Sequence, residues 1–362
     1  MSLRIFHVGA DKFVELQELP AALPDGGFLW IGCHQTAFET RLPDLQAALH
    51  RWAGGPLVDL HVSDLLNKSL PSHFDATSWY DLMVFRRVAA GAGTSPAAEP
   101  APGSVRQALA TVDTSAVGFA IFDRVLLTVH HATASTRNHF AQRLAELNGG
   151  ADLRGGSRLP ASPADLMLRM VNHMVDSFLD LRRLLTRQFG DLQRQLLDPK
   201  SRFADWHELL DARNTLNMLE DTCEDQHAAV SEWIDALDER PPAEAPAARH
   251  ERDLLRVRSR DVLEHIERVL GHVRRLEESA EAAVQLHFSA LGHRTNDIMR
   301  MLTVLTAIFL PLNLITGFFG MNFDALPLVH SGTGLWITVG LMGLLGVGGV
   351  AYFWRKRYLA TH

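Results

Sequence analysis

Residues 301–321 read MLTVLTAIFLPLNLITGFFGM, a run of twenty-one residues without a charged side chain. As a helix rising about 1.5 Å per residue, this run is roughly 30 Å long, the thickness of a bilayer's hydrocarbon core. Working outward, Arg300 is the one charge between residues 299 and 323. A second uncharged run, residues 335–354 (LWITVGLMGLLGVGGVAYFW), is also long enough to span. The alternative is a helix pair buried in a soluble core, but such helices seldom stay uncharged over this length twice in succession. The connector carries Asp324, Pro327 and His330 and is short enough to force a tight helical hairpin. Arg355, Lys356 and Arg357 follow the second run directly. The positive-inside bias therefore puts the C-terminus in the cytosol, and an even number of passes puts the N-terminal bulk there too.

A chain of 362 residues exceeds one ordinary domain. Its mean hydropathy near zero hides a very uneven distribution. The net charge of −7 disfavours acidic partners and argues against a nucleic-acid binder, because no face is rich enough in Lys and Arg to release many counterions. Cys33 and Cys223 stand far apart without a CxxC or Cys/His cluster, which fits a reduced cytosol and gives no structural zinc signature. The first ten residues lack the basic flank and apolar run of a secretory signal, so the N-terminal region is expected to stay in the cytosol.

Upstream of the two spans, residues 28–32 (FLWIG), 57–60, 82–88 and 117–129 look β-like, bounded by Gly, Pro and Asp, and define an α/β unit. Residues 89–104, rich in Ala, Gly and Pro, read as a mobile loop. After Pro163 helices dominate. Residues 164–197 carry Leu168, Val171, Val175, Phe178, Leu181 and Leu185 at helical spacing and stop at Asp198-Pro199. A second helix is expected from about residue 203 to residue 237, forming an antiparallel hairpin with the first; it is acidic, a feature that suits either cation attraction or plain solubility. A third starts near Ala247 and runs without a strong breaker into the first apolar run, about seventy residues or roughly 100 Å. A helix that long needs neighbours from other copies.

The polar and soft residues of the first span are not scattered. Asn296, Met299, Thr303, Thr306, Leu310, Asn313, Gly317 and Gly320 recur at steps of three and four, which puts them on one face. Polar groups within hydrocarbon cost free energy unless they meet a partner or water, so Thr306, Asn313 and Thr316 are expected to look into a bundle interior. Small Gly317 and Gly320 permit close helix approach. Such a stripe serves equally as packing glue between helices, and periodicity alone leaves both readings open. Two spans per chain are too few to enclose a pore, so a conducting assembly would be an oligomer.

The first span ends on Gly320-Met321-Asn322, preceded by Phe318-Phe319 and by Pro311 within the helix, and followed by a short loop and a second span ending in basic residues. This arrangement resembles the signature of the CorA family of magnesium transporters, in the CorA/ZntB superfamily. The resemblance extends through Thr295-Asn296-Asp297-Ile298-Met299-Arg300 and Leu302-Thr303, and more faintly to Arg260-Asp261-Val262 and His265. It holds over about residues 261–358 and is architectural before that.

The family implies a funnel-shaped homopentamer in a bacterial inner membrane, multi-pass, with both termini cytosolic. Its fold is α+β: a cytosolic α/β domain (residues 1–160), a helical hairpin and stalk helix (161–298), a pore-lining transmembrane helix (299–321), an outer loop (322–334), a second transmembrane helix (335–354) and a basic tail (355–362). In the family the Asn of the tripeptide and the carbonyl of its Gly ring the outer mouth and hold a hydrated cation; carried over, these are Asn322 and Gly320, with Met321 between them. Neutral amide oxygens suit Mg2+, which gives up its water reluctantly. Asn296, Met299, Leu302, Thr306, Leu310, Asn313 and Gly317 fall where the family lines its pore, with Met299, Leu302 and Leu310 as hydrophobic constrictions.

Many members place a Glu after the loop Pro, where this chain has Leu328, leaving Asp324 as the loop's one carboxylate. The expected cargo is Mg2+, with Co2+ and Ni2+ as further passengers and a ZntB-like, proton-coupled Zn2+ transporter as the alternative. His330 near the mouth could favour a borderline metal. The family also holds regulatory divalent ions between subunits; Asp261 matches that stalk position, Glu264 is near it, and Asp59, Asp64 and Asp81 are equal candidates for the α/β partner. An enzyme is not expected, since there is no GxxxxGK[ST] loop, GxSxG elbow or HExxH pair. A membrane-anchored helical scaffold is the remaining non-transport reading.

Overall fold

The computed structural model describes residues 3–90, 112–130, 135–148, 158–197, 206–241, 244–321 and 332–356. The chain divides into two compact units, Met1–Glu281 and Ala282–His362.

The first unit is built on a seven-stranded sheet of order β2-β1-β3-β9-β8-β5-β4. Its strands are β1 (Arg4–Val8), β2 (Phe13–Leu16), β3 (Phe28–His34), β4 (His73–Ala76), β5 (Asp81–Arg86), β8 (Ala116–Ile121) and β9 (Val125–His130). The short strands β6 (Ala89–Ala90) and β7 (Val112–Asp113) pair separately. The β3–β9 pair is parallel and all others in the sheet are antiparallel. The central strands are buried on both faces, as a sheet sandwiched by helices requires. Phe28 and Trp30 of β3 point into one core, while Leu29, Ile31 and Cys33 point into the other.

Helices α1 (Gln35–Ala53) and α2 (Asp59–Leu66) cover the second of these faces. Gly54 ends α1 in the left-handed conformation at φ 77°, with its N–H donating to the His50 carbonyl. α2 lies so close to the sheet that a Cβ on Gly118 of β8 would sit 2.3 Å from Leu65 Cδ2, so any larger residue there forces Leu65 to shift. The strand expected over residues 57–60 is corrected: Val58 is extended, and the chain then enters α2. The four-residue apolar run cannot tell strand from helix; Val62 and Leu65, one turn apart, reach the core together.

The opposite face is covered by α3 (Ser135–Asn148), α4 (Pro163–Asp176), α6 (Trp206–Glu239) and the first part of α7 (Pro246–Phe319), with α5 (Phe178–Leu197) following α4. Trp233 of α6 is fully buried, and its indole N–H donates to Ser259 Oγ on α7 at 3.0 Å. Ser162 caps α4 by accepting from the Asp165 N–H, and Pro163 opens its first turn. The continuous helix expected over residues 164–197 is instead two helices meeting at Ser177. Ser177 is the single turn residue between them; its hydroxyl donates back to the Met174 carbonyl at 2.5 Å and accepts from Arg87 Nε at 3.2 Å. The expected acidic helix corresponds to α6 and the long third helix to the 74-residue α7. The stop at Asp198-Pro199 and most of the Ala/Gly/Pro loop lie outside the described residues.

In the second unit the C-terminal part of α7 packs against α8 (Gly332–Arg355). Val304 of α7 is buried, a Cβ on Gly349 would lie 3.2 Å from Ile308 Cγ1, and one on Gly346 would lie 4.0 Å from Leu312 Cδ1. This register makes the pair antiparallel. Only 6% of the most apolar 18-residue window in either helix is buried, so both present apolar surface outward along their length. A soluble core helix would do the reverse.

Candidate functional site

The part of α7 in the second unit has two unlike faces. Ile308 and Leu312, one turn apart, meet α8, and Val304, one turn earlier on the same face, is buried. At about 100° per residue, the stripe of Met299, Leu302, Thr306, Leu310, Asn313 and Gly317 is centred roughly 160° around the helix from that face, with Asn296 at its edge. Every one of these stripe residues is exposed in a single copy.

The hydroxyls along this segment point their protons at the helix. Thr303 Oγ1 donates to the Met299 carbonyl at 2.7 Å, Thr306 Oγ1 to Leu302 at 2.8 Å and Thr316 Oγ1 to Asn313 at 3.0 Å. A carbonyl can only accept, so each hydroxyl spends its donor inward and shows lone pairs outward. Outward-facing acceptors complement the hydrogens of water held around a cation. Pro311 contributes no backbone N–H, leaving one carbonyl a turn below without its helical donor.

α7 stops at Phe319. The Gly320 N–H still reaches the Thr316 carbonyl at 2.9 Å and the Met321 N–H reaches Phe318 at 3.4 Å, so the last turn tightens as it ends. A Cβ on Gly320 would stand 2.9 Å from the Thr316 carbonyl oxygen, a backbone atom that cannot move aside easily. Asn322, Asp324 and His330 lie outside the described residues. At the N-terminal end of the span Arg300 and Asp297 form an ion pair at 3.8 Å.

In the first unit, Asp261 and Glu264 are both exposed on α7. His265 stands between two carboxylates, with Nδ1 3.5 Å from Asp176 and Nε2 3.9 Å from Asp261. Asp176, at the end of α4, carried no sequence signal; only packing of α4 against α7 brings it there. Of the three α/β candidates, Asp64 faces His73 at 3.9 Å and the buried Asp81 is paired with Arg240, which offsets the desolvation that raises its pKa. Asp59 sits in the first turn of α2, on the other face of the sheet. Among the described residues no group of three or more His, Cys, Asp or Glu side chains is arranged to hold a metal ion within one chain.

Comparison with known proteins agrees with these features. The family model for CorA-like Mg2+ transporter protein matches residues 103–357. The cobalt/magnesium transport protein CorA of Thermotoga maritima is 31% identical over 100 residues, 28% of either chain. The magnesium transport protein CorA of Haemophilus influenzae is 31% identical over 101 residues, 28% of this chain and 32% of that one. The matched segments thus span about a third or less of these relatives' length. The complete structure of the CorA magnesium transporter from Methanocaldococcus jannaschii superposes with a TM-score of 0.71 over 98% of both chains at 16% identity, which establishes a shared fold.

Proposed function

Because the chain belongs to the family of CorA-like Mg2+ transporter proteins, a family of transporters and not of enzymes, we propose that several copies of it enclose an axial path that carries divalent cations across a membrane. The observation that carries this reading is the position of the polar stripe. α8 occupies the face of α7 opposite Thr306 and Asn313, so a single copy leaves an amide and a row of hydroxyl oxygens uncovered within hydrocarbon. Such groups are stable there only against another copy or against water. Copies arranged around an axis would supply both.

In this path the cargo is Mg2+, recognised with its water at an outer ring of Asn322 side chains and Gly320 carbonyls. The Thr306 and Asn313 oxygens then accept from the same hydration shell further in. Met299, Leu302 and Leu310 supply dry rings that close the path when water leaves. Five copies, the number in the family resemblance, would assemble in the inner membrane with both termini cytosolic. Asp261, which shares the His265 ring with Asp176, and Glu264, both exposed on α7, would bind a regulatory divalent ion with ligands from a second copy. The proposed division of the chain remains residues 1–160, 161–298, 299–321, 322–334, 335–354 and 355–362.

Uptake into proteoliposomes tests the reading: wild-type protein should pass Mg2+, and Asn322→Ala should abolish uptake while leaving the oligomer intact. Unchanged uptake in that variant would overturn the mouth assignment, and a protein that stays a lone monomer would overturn the path itself. Competition among Mg2+, Zn2+, Co2+ and Ni2+, with and without a pH gradient, decides between a passive Mg2+ path and a proton-coupled Zn2+ path. No flux of any of them would leave a scaffold.

A further inference from the structure

In the first unit, α3, α4, α7 and the segment leading into α4 line an open cavity of about 480 Å³, within the roughly 300–1,000 Å³ range of small-molecule sites. Four of its lining residues are arginines, Arg143, Arg158, Arg169 and Arg258. The buried Asp165 neutralises only part of this charge. It accepts from Arg169 Nε at 3.3 Å and Nη2 at 3.1 Å and also pairs with Arg258, so one carboxylate serves two guanidiniums. Arg143 and Arg158 have no carboxylate partner among the described residues. Two further acids line the cavity: Asp176 and Asp261 lie 3.5 and 3.9 Å from the His265 ring, and Asp176 accepts from Asn172 Nδ2 at 3.2 Å, so four guanidiniums stand against three carboxylates.

Phe140, Leu144 and Leu168 give the cavity an apolar wall.

We propose that this cavity binds a small molecule bearing a polyphosphate, such as a nucleoside triphosphate, with its phosphoryl oxygens on the arginines, first on Arg143 and Arg158. Guanidinium forks match phosphoryl oxygens in geometry and charge, and the apolar wall offers a surface for a base or sugar. The assignment is independent of the transport reading, since it concerns binding to the cytosolic side of the chain and is measured without flux.

Calorimetric titration of the full-length protein in detergent, with EDTA present so that no metal bridges ligand and carboxylate, tests it with three probes: ATP, inorganic tripolyphosphate and adenosine. ATP should bind, more weakly as salt rises. Arg143→Gln and Arg158→Gln should each weaken binding about tenfold or more, as expected for loss of a charged hydrogen bond. Both side chains are exposed and have no ion-pair partner among the described residues, so both variants should fold. Arg183→Gln, on α5 outside the cavity, should change nothing. Tripolyphosphate binding as tightly as ATP would support recognition through the phosphates alone, and weaker binding would support a contribution from the base. Absence of ATP binding at millimolar concentration, affinity unmoved by both cavity variants, or adenosine binding as well as ATP would each overturn the proposal.

Discussion

Thr306→Val is the sharpest test of what the exposed stripe of α7 faces. The substitution keeps the shape of the side chain and removes one hydroxyl. That hydroxyl donates to the Leu302 carbonyl at 2.8 Å, an oxygen placed to accept a helical backbone bond as well, so no group is stranded by its loss. Hydrogen bonds of side chains within membranes contribute on average about 0.6 kcal/mol, so folding and assembly should survive. Flux should not. If Thr306 meets the water around a passing ion, every copy loses an acceptor at the same level of the path. Two unreplaced hydrogen bonds at about 1 kcal/mol each raise the barrier by about 2 kcal/mol, which slows uptake about thirtyfold. Thr338→Val is the matched control, because Thr338 Oγ1 donates to the Gly334 carbonyl at 3.0 Å on α8 in the same manner. Mg2+ entry into proteoliposomes, followed with an enclosed Mg2+-sensitive dye, should fall in the first variant and stay within about twofold of wild type in the second. Equal rates in Thr306→Val and wild type, or equal losses in both variants, would refute the placement of the stripe on an aqueous path.

Three other perturbations probe the packing beneath this picture. Gly349→Leu forces a branched side chain into the place where a single Cβ would already lie 3.2 Å from Ile308 Cγ1; overpacking of this kind costs about 1–3 kcal/mol, and a thermal melt of the purified protein should show a lowered midpoint, whereas an unchanged midpoint would mean that the two spans do not pack in this register. Asp165→Asn leaves Arg169 and Arg258 facing each other across a neutral amide, a loss on the order of 3 kcal/mol for a buried pair; a melting temperature equal to wild type would show those charges to be well solvated. His173, stacked on His139 at 4.2 Å and packed against Phe140, has its pKa lowered to about 4 by burial, then by His139 and nearby arginines. The folded state therefore binds fewer protons than the unfolded state between about pH 6.5 and 4, so stability should rise with pH through that window and fall as pH drops through it. Because the ring is partly exposed, the effect will be moderated by solvent, and His173→Gln should flatten it; an identical pH profile in that variant would assign the acid sensitivity elsewhere.

The two spans were legible because lipid allows so little choice of composition. A charge in residues 301–321 or 335–354 would be costly; the helix Pro246–Phe319 contains the first run up to its last two residues, and Gly332–Arg355 contains the second whole. The sheet domain was less so. Residues 28–32 and 117–129 are strand in large part because residues buried on both faces admit little but apolar side chains, yet residues 57–60 offered the same local pattern and fold as the entry to a helix. Local pattern also did not show the break at Ser177, where the contact from Arg87 comes from ninety residues earlier in the chain. Asp176 and Asn172 are a turn apart on an ordinary amphipathic helix, and nothing in their spacing announces that α7 will bring His265 and Asp261 against them.

Periodicity placed Thr306 and Asn313 on one face of the first span, but left that face free to be either the contact with the second span or something else. The contact of Gly349 with Ile308 removes the first option, because Ile308 lies on the far side of the helix from the stripe. The glycines of α8 then explain why the pair needs no polar bonds to associate: a helix that lacks Cβ atoms at the contact can bring its backbone close enough for dispersion alone to hold it. Packing glue between these two helices is thus supplied without Thr306 or Asn313, and their oxygens are left for a neighbour outside the chain. An Asn313→Leu variant separates the two neighbours still possible. If the amide faces only another copy's helix, its replacement by an apolar group should strengthen or preserve the oligomer and leave flux untouched; if it faces water on the axis, the oligomer should persist while Mg2+ entry collapses.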